Sequence, residues 1–284
     1  MTYFLDFRVR NVGGPAVDPH LLEGDGTADP PSLSIVPSAR IPSIVNGKNV
    51  LFATHGFNVS YKAGACSLGL LEQYLGVKSP NLFIGMLWPG DSWIPIVDYP
   101  FEGDVAIDCG QRLASFCNTM CIRAQSLSFV SHSLGARFVL EAITHLDRDP
   151  KMACLAAGAI NRDCLDTEYA VVPGKTAAIW GLASHNDDVL KIAFAIGDPF
   201  AVLLHDDHTP FRSALGYDGP PTPTPPEVLW PWQIPDRENY GHGDYLPPNK
   251  AIALFPRPAD RWTKVADFIR GAFLNQSPPW PWPT

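Results

Sequence analysis

The chain has no Cys-x-x-Cys pair and no cysteine–histidine spacing of a zinc site, so its six cysteines do not spell a structural metal centre. Charge is scarce. Only 18% of residues are charged, and 21 Lys and Arg against 29 Asp and Glu leave a formal net charge of −8. Sites for polyanions are built from clustered Lys and Arg, so no nucleic-acid partner is expected. No apolar run approaches the ~18 to 20 residues that span a bilayer, which excludes a transmembrane helix. The N-terminus alternates Tyr3, Leu5, Phe7 and Val9 with Asp6, Arg8 and Arg10, the pattern of a strand and not of a signal peptide. A cytoplasmic location follows as the expectation. There is no internal repeat, and no cofactor is expected.

What is present is apolar and loop-rich. Hydrophobic residues make up 46% of the 284, and 29 prolines gather between the apolar runs, as in a folded globular chain. One domain over 1–284 is expected, since open α/β sheets commonly reach this length around one core. The stretch from about Asn11 to Gly47 has no period and reads as surface loop. "NVLFATHGF", "NLFIGMLWPG", "SLSFV", "ACLAAGAI" and "TAAIWGLAS" are apolar runs without polar alternation, separated by segments of helix length around Leu68 to Leu75, over 104–123 and over 135–147. Such strands belong to a mostly parallel, doubly wound sheet covered on both faces. Cys117 and Cys121 fall on the expected buried face of the second of these helices. In the third, Phe138, Ala142, Ile143 and Leu146 oppose Arg137, Glu141 and His145. From 198 to 240 the chain turns Pro- and aromatic-rich, a segment long enough to cover a site.

Working residues in open α/β sheets sit where strands end. Three apolar runs end in reactive side chains: His55-Gly56-Phe57, Ser131-His132-Ser133 and Ser184-His185-Asn186-Asp187. A serine becomes a nucleophile only when a base takes its proton and fixed donors receive the oxyanion. A tight strand-to-helix turn supplies the required exposure, and it needs small residues two before and two after the nucleophile. Ser133 has Ser131 and Gly135 at those positions, whereas Ser131 has the bulky Phe129 before it. Ser133 is therefore the candidate nucleophile, with serine standing where glycine is usual.

"THGFN" at 54 to 58, "WPG" at 88 to 90 and "SHSLGAR" at 131 to 137 together resemble the esterase/lipase-like branch of the α/β-hydrolase superfamily, over about 49–274. The resemblance implies the α/β-hydrolase fold, no metal, and a serine hydrolase that cleaves carboxylic esters of small or lipid-like substrates. It also implies an oxyanion hole formed by the backbone N–H groups of Phe57 and Leu134. For the base, His242 in "NYGHGDYL" is flanked by glycines that allow an exposed loop, and it matches the family's His-small-Asp-Tyr ending. His205 and His208 in "HDDHTP" read as a solvated loop. For the acid, Asp187 and Asp188 both leave the last strand at the right end. Asp187 is favoured because it lies at the helix cap and because the family's pattern places its acid there. Trp88 and Trp93, with His55, are candidates for the substrate pocket. Two alternatives remain: a binding or scaffold protein that kept the fold without the chemistry, and an amidase or thioesterase using the same triad.

Overall fold

The computed structural model describes residues 1–9, 14–91, 95–195, 213–247, 260–275 and 280–282. Among these residues eight strands form one sheet: β1 (Thr2–Arg8), β2 (Ala16–Asp25), β3 (Ser32–Ile35), β4 (Asn49–Thr54), β5 (Asn81–Leu87), β6 (Ser126–His132), β7 (Met152–Ala156) and β8 (Ile179–Leu182). The spatial order is β3-β2-β1-β5-β4-β6-β7-β8. β1 to β3 pair antiparallel, and β1 joins the parallel remainder through β5. This is the mostly parallel sheet expected of an α/β-hydrolase fold, and its central strands β4 and β6 are buried along nearly their whole length because both faces are covered.

The helices are α1 (Ile41–Val45), α2 (Tyr61–Leu75), α3 (Pro95–Met120), α4 (Gly135–His145), α5 (Val171–Lys175), α6 (Asp188–Ala195), α7 (Leu215–Asp218) and α8 (Asp260–Phe273). One apolar layer joins α2 and α8 to the sheet through Leu68, Leu71, Phe268 and Ile269. The other joins α3 and α4 through Leu113, Cys117, Phe138 and Val139. α2 shows why these segments stop where they do. Ser60 Oγ caps its start by accepting from Ala63 N–H at 3.3 Å, and Gly76 ends it in the left-handed conformation at φ 57°.

Three expectations need correction. The stretch 11–47 is not plain loop: β2, β3 and α1 lie within it. Pro19 and Gly24 mask the strand pattern, but β3 pairs only with Leu22 to Asp25, so Pro19 sits where no third strand needs its N–H. Arg8, on the expected polar face of β1, is buried against Asp91. Arg137 is only 4% exposed and pairs with Glu168 at 3.1 Å instead of facing water. The described part of 198–240, from Ser213 onward, lies along the free edge of β8, where Ile179 and Ala183 exchange backbone bonds with Glu227, Leu229, Trp232 and Ile234 at 2.7 to 2.9 Å. Trp232 is fully buried over Gly181, where a Cβ would meet its ring at 2.1 Å. These residues cover a sheet edge that would otherwise expose unpaired backbone.

Candidate active site

The strand order reverses at β4. β5 lies on one side of it and β6 on the other, the arrangement at which open α/β sheets place their sites, at the carboxyl ends of the strands. Ser133 follows β6 directly. Its φ of 55° is left-handed, a conformation costly for any residue but glycine, and it lifts the side chain out of the strand direction. The turn is held by Ser133 N–H donating to Ala156 O and Ala159 N–H donating to Ser133 O, both at 3.1 Å. α4 then starts against β4 so closely that a Cβ on Gly135 would stand 2.7 Å from Thr54 Cγ2 and 2.8 Å from His55 O. Glycine two residues after the serine is thus a packing requirement.

His242 lies at the start of a single 3₁₀ turn, His242–Asp244. Its Nε2 is 2.8 Å from Ser133 Oγ, and its Nδ1 is 2.8 Å from Asp187 Oδ2. A carboxylate only accepts, so Nδ1 carries the proton and Nε2 presents its lone pair to the serine hydroxyl. Asp187 is fully buried, and its second oxygen accepts Leu190 N–H at 3.0 Å, so one carboxylate caps α6 and orients the imidazole. Asp188, one residue on, is exposed in the first turn of α6. The structure therefore brings Ser133, His242 and Asp187 together from loops after β6 and β8 and from the segment before α8, and leaves Asp188 outside.

The loop carrying His242 is fixed from several sides. Asp244 accepts from Gly241 N–H at 2.8 Å and from Arg261 at 2.7 Å, Arg261 also donates to Asn239 O at 2.6 Å, and Ser184 Oγ donates to Tyr240 O at 2.7 Å. Sequence inspection met Asp244 only as part of the His-small-Asp-Tyr ending and missed Arg261, its distant partner, which nothing in the sequence indicates.

Leu134 is the first residue before α4, and its N–H has no hydrogen-bond partner among the described residues. It belongs to a helix N-terminus, whose open donors favour negative charge. The loop holding Phe57 presses against the serine: a Cβ on Gly56 would fall 2.7 Å from Ser133 Cβ. His55 Nδ1 donates to Gly56 O at 2.8 Å, and that carbonyl shares a peptide plane with Phe57 N–H, so the bond fixes the direction of that N–H. Asn58 N–H donates to Gly90 O at 2.6 Å, and Arg8 donates to Val59 O at 2.6 Å while pairing with Asp91 at 2.9 Å. Burial, and next the nearby Arg8 charge, push the His55 imidazole down to about 3, so it is neutral.

His55 and Trp88 pack against each other at the ends of β4 and β5. Both are buried, 1% and 0% exposed, with the indole stacked on the imidazole and donating to His55 O at 2.9 Å. They form the floor beneath the Phe57 loop, because a strand that ends buried needs apolar bulk and a donor for its last carbonyl. Trp93, His205 and His208 lie outside the described residues. His185 sits between Asp218 and Asp236 at 3.4 and 3.5 Å, and His145 pairs with Glu141 at 2.9 Å, both away from the serine. His20 is exposed on β2. No group of three or more potential metal ligands occurs among the described residues, and none of the six cysteines forms a disulfide. No helix among the described residues is long and apolar enough to cross a membrane.

Residues 41–217 match the model of a family described as alpha/beta hydrolases of unknown function (DUF900). That is more than half of the chain, and the chain belongs to this family. The matched segment includes Ser133 and Asp187 and stops short of His242. No curated protein matches the chain.

Proposed function

We propose that the protein is a serine hydrolase that cleaves carboxylic esters through an acyl-enzyme intermediate. The observation that carries this reading is the unbroken line from Ser133 Oγ through the His242 ring to the buried Asp187, with 2.8 Å at each contact. Ser133 attacks the ester carbonyl as its proton passes to His242 Nε2. Asp187 stabilises the resulting imidazolium without taking its proton. The oxyanion is received by Phe57 and Leu134 N–H, and His242 returns the proton to the leaving alcohol. Water, activated by the same histidine, then releases the acid and restores the serine.

A scaffold protein with no chemistry would have no need to hold Ser133 in a left-handed conformation or to bury a carboxylate behind a half-open histidine, where both cost stability. A panel of p-nitrophenyl esters from acetate to palmitate tests the proposal. Saturable turnover of at least one member, abolished in Ser133→Ala with an unchanged melting curve, is expected. Turnover that survives Ser133→Ala would overturn it.

A further inference from the structure

The residue between the two serines of the turn has a role that the triad alone does not account for. His132 Nε2 is 2.8 Å from the backbone carbonyl oxygen of His242, so Nε2 must carry the proton and donate. It is a side-chain hydrogen bond to that carbonyl, added to the 3₁₀ turn His242–Asp244 in which the carbonyl lies. The side-chain bonds from Asp244, Arg261 and Ser184 hold residues 239, 240, 241 and 244 around the histidine, and none of these reaches the His242 carbonyl. Consecutive residues of the turn thus grip the base at two points: Ser133 at the ring and His132 at the backbone.

We propose that His132 is a positioning residue that sets the distance between His242 and Ser133 by holding the His242 carbonyl; this rests on the serine-hydrolase reading above. The His132 ring lies 4.9 Å from the His242 ring and 6.0 Å from Tyr245, and its Nδ1 is 3.0 Å from where a Gly56 Cβ would be. It touches the nucleophile's turn, the base and the oxyanion loop together. The charged or titratable groups around it are His242, Asp187, His55 and Tyr245. One edge reaches solvent, yet burial, followed by the nearby His242, pushes its imidazole down to about 3. It therefore stays neutral while His242 is transiently charged, and a second cation does not oppose the step. Phe would fill the same space without a donor.

The test compares His132→Phe, which keeps the bulk and loses the donor, with His132→Gln, whose amide can still donate. On an ester that the parent protein turns over, His132→Phe should lower kcat about tenfold with KM within twofold, the scale of one lost positioning hydrogen bond. His132→Gln should recover most of that loss. A Phe variant with parental kcat, or a Gln variant as slow as Phe at an equal melting temperature, would overturn the inference. ¹⁵N-histidine NMR of the unmutated protein gives a readout independent of variant folding. It should show His132 as the Nε2–H tautomer, untitrated down to pH 5; an Nδ1–H tautomer or titration near pH 6 would equally overturn it. A parent protein inert to all esters and to fluorophosphonate defeats the hydrolase reading. A parent labelled on Ser133 beside an unimpaired Phe variant defeats only the role of His132.

Discussion

Replacing Asp187 by Asn keeps size and shape and changes one charge, so its effect can be worked out from the site. In the parent protein, Oδ1 accepts Leu190 N–H at 3.0 Å and Oδ2 accepts from His242 Nδ1 at 2.8 Å. An asparagine that keeps the helix cap must turn its amide NH₂ toward Nδ1. Two donors cannot face each other, so the imidazole adopts the other tautomer, with its proton on Nε2 and no lone pair for the serine. The lost charge adds to this. At an effective dielectric near 20, an imidazolium and a carboxylate centred about 4 Å apart attract by about 4 kcal/mol, roughly a thousandfold in rate. With the wrong tautomer added, kcat for a p-nitrophenyl ester should fall by about 10³ to 10⁴ in Asp187→Asn. Asp188 is exposed at the start of α6, where a carboxylate contributes about 0.3 to 1 kcal/mol through the helix dipole. Asp188→Asn should therefore stay within twofold of the parent in kcat and lose at most a degree or two in melting temperature. If Asp187→Asn kept more than a tenth of the activity, or if Asp188→Asn were the crippled variant, the assignment of the acid would be refuted.

Ser131→Ala should be neutral to stabilising by about 1 kcal/mol, because the Ser131 hydroxyl is fully buried with no partner among the described residues; a fall of several degrees in melting temperature would show that the hydroxyl has one. Gly135→Ala should cost about 1 to 3 kcal/mol and most of the activity, since its Cβ would meet His55 O at 2.8 Å, and calorimetry with a turnover assay checks both. His55 is neutral in the folded protein down to about 3, whereas an unfolded histidine takes up its proton near 6.5. The unfolded chain thus binds the extra proton between these values, and stability from this residue is complete above about pH 6.5 and is lost as pH falls toward 3. At pH 5 the loss is on the order of 2 kcal/mol, and denaturant melts of the parent and His55→Gln should converge there; an equal separation at pH 5 and pH 7.5 contradicts the buried neutral imidazole.

The sheet centre and the serine turn were legible in the sequence because their rules are local. Apolar runs mark β4, β5, β7 and β8, the apolar Leu127, Phe129 and Val130 mark β6, and close packing of strand on helix demands the glycine at 135. The antiparallel edge was hidden because β2 mixes Pro19, Gly24 and exposed polar residues, which only their position beside β1 makes tolerable. Arg8 reads as a solvent-facing residue of an alternating strand. Its burial depends on Asp91 and Val59, far along the chain, and no periodicity carries that information. The aromatic segment before Tyr240 reads as cover; its residues 227–234 lie along the β8 edge, and 198–212 fall outside the described residues.

Whether Ser133 is a nucleophile is tested most directly by exposing the intact protein to a fluorophosphonate and locating the adduct by peptide mass spectrometry. One stoichiometric adduct on Ser133, slowed by orders of magnitude in His242→Ala and absent in Ser133→Ala, is the predicted result. An adduct on Ser131 or elsewhere, or no adduct on a folded protein, would contradict it.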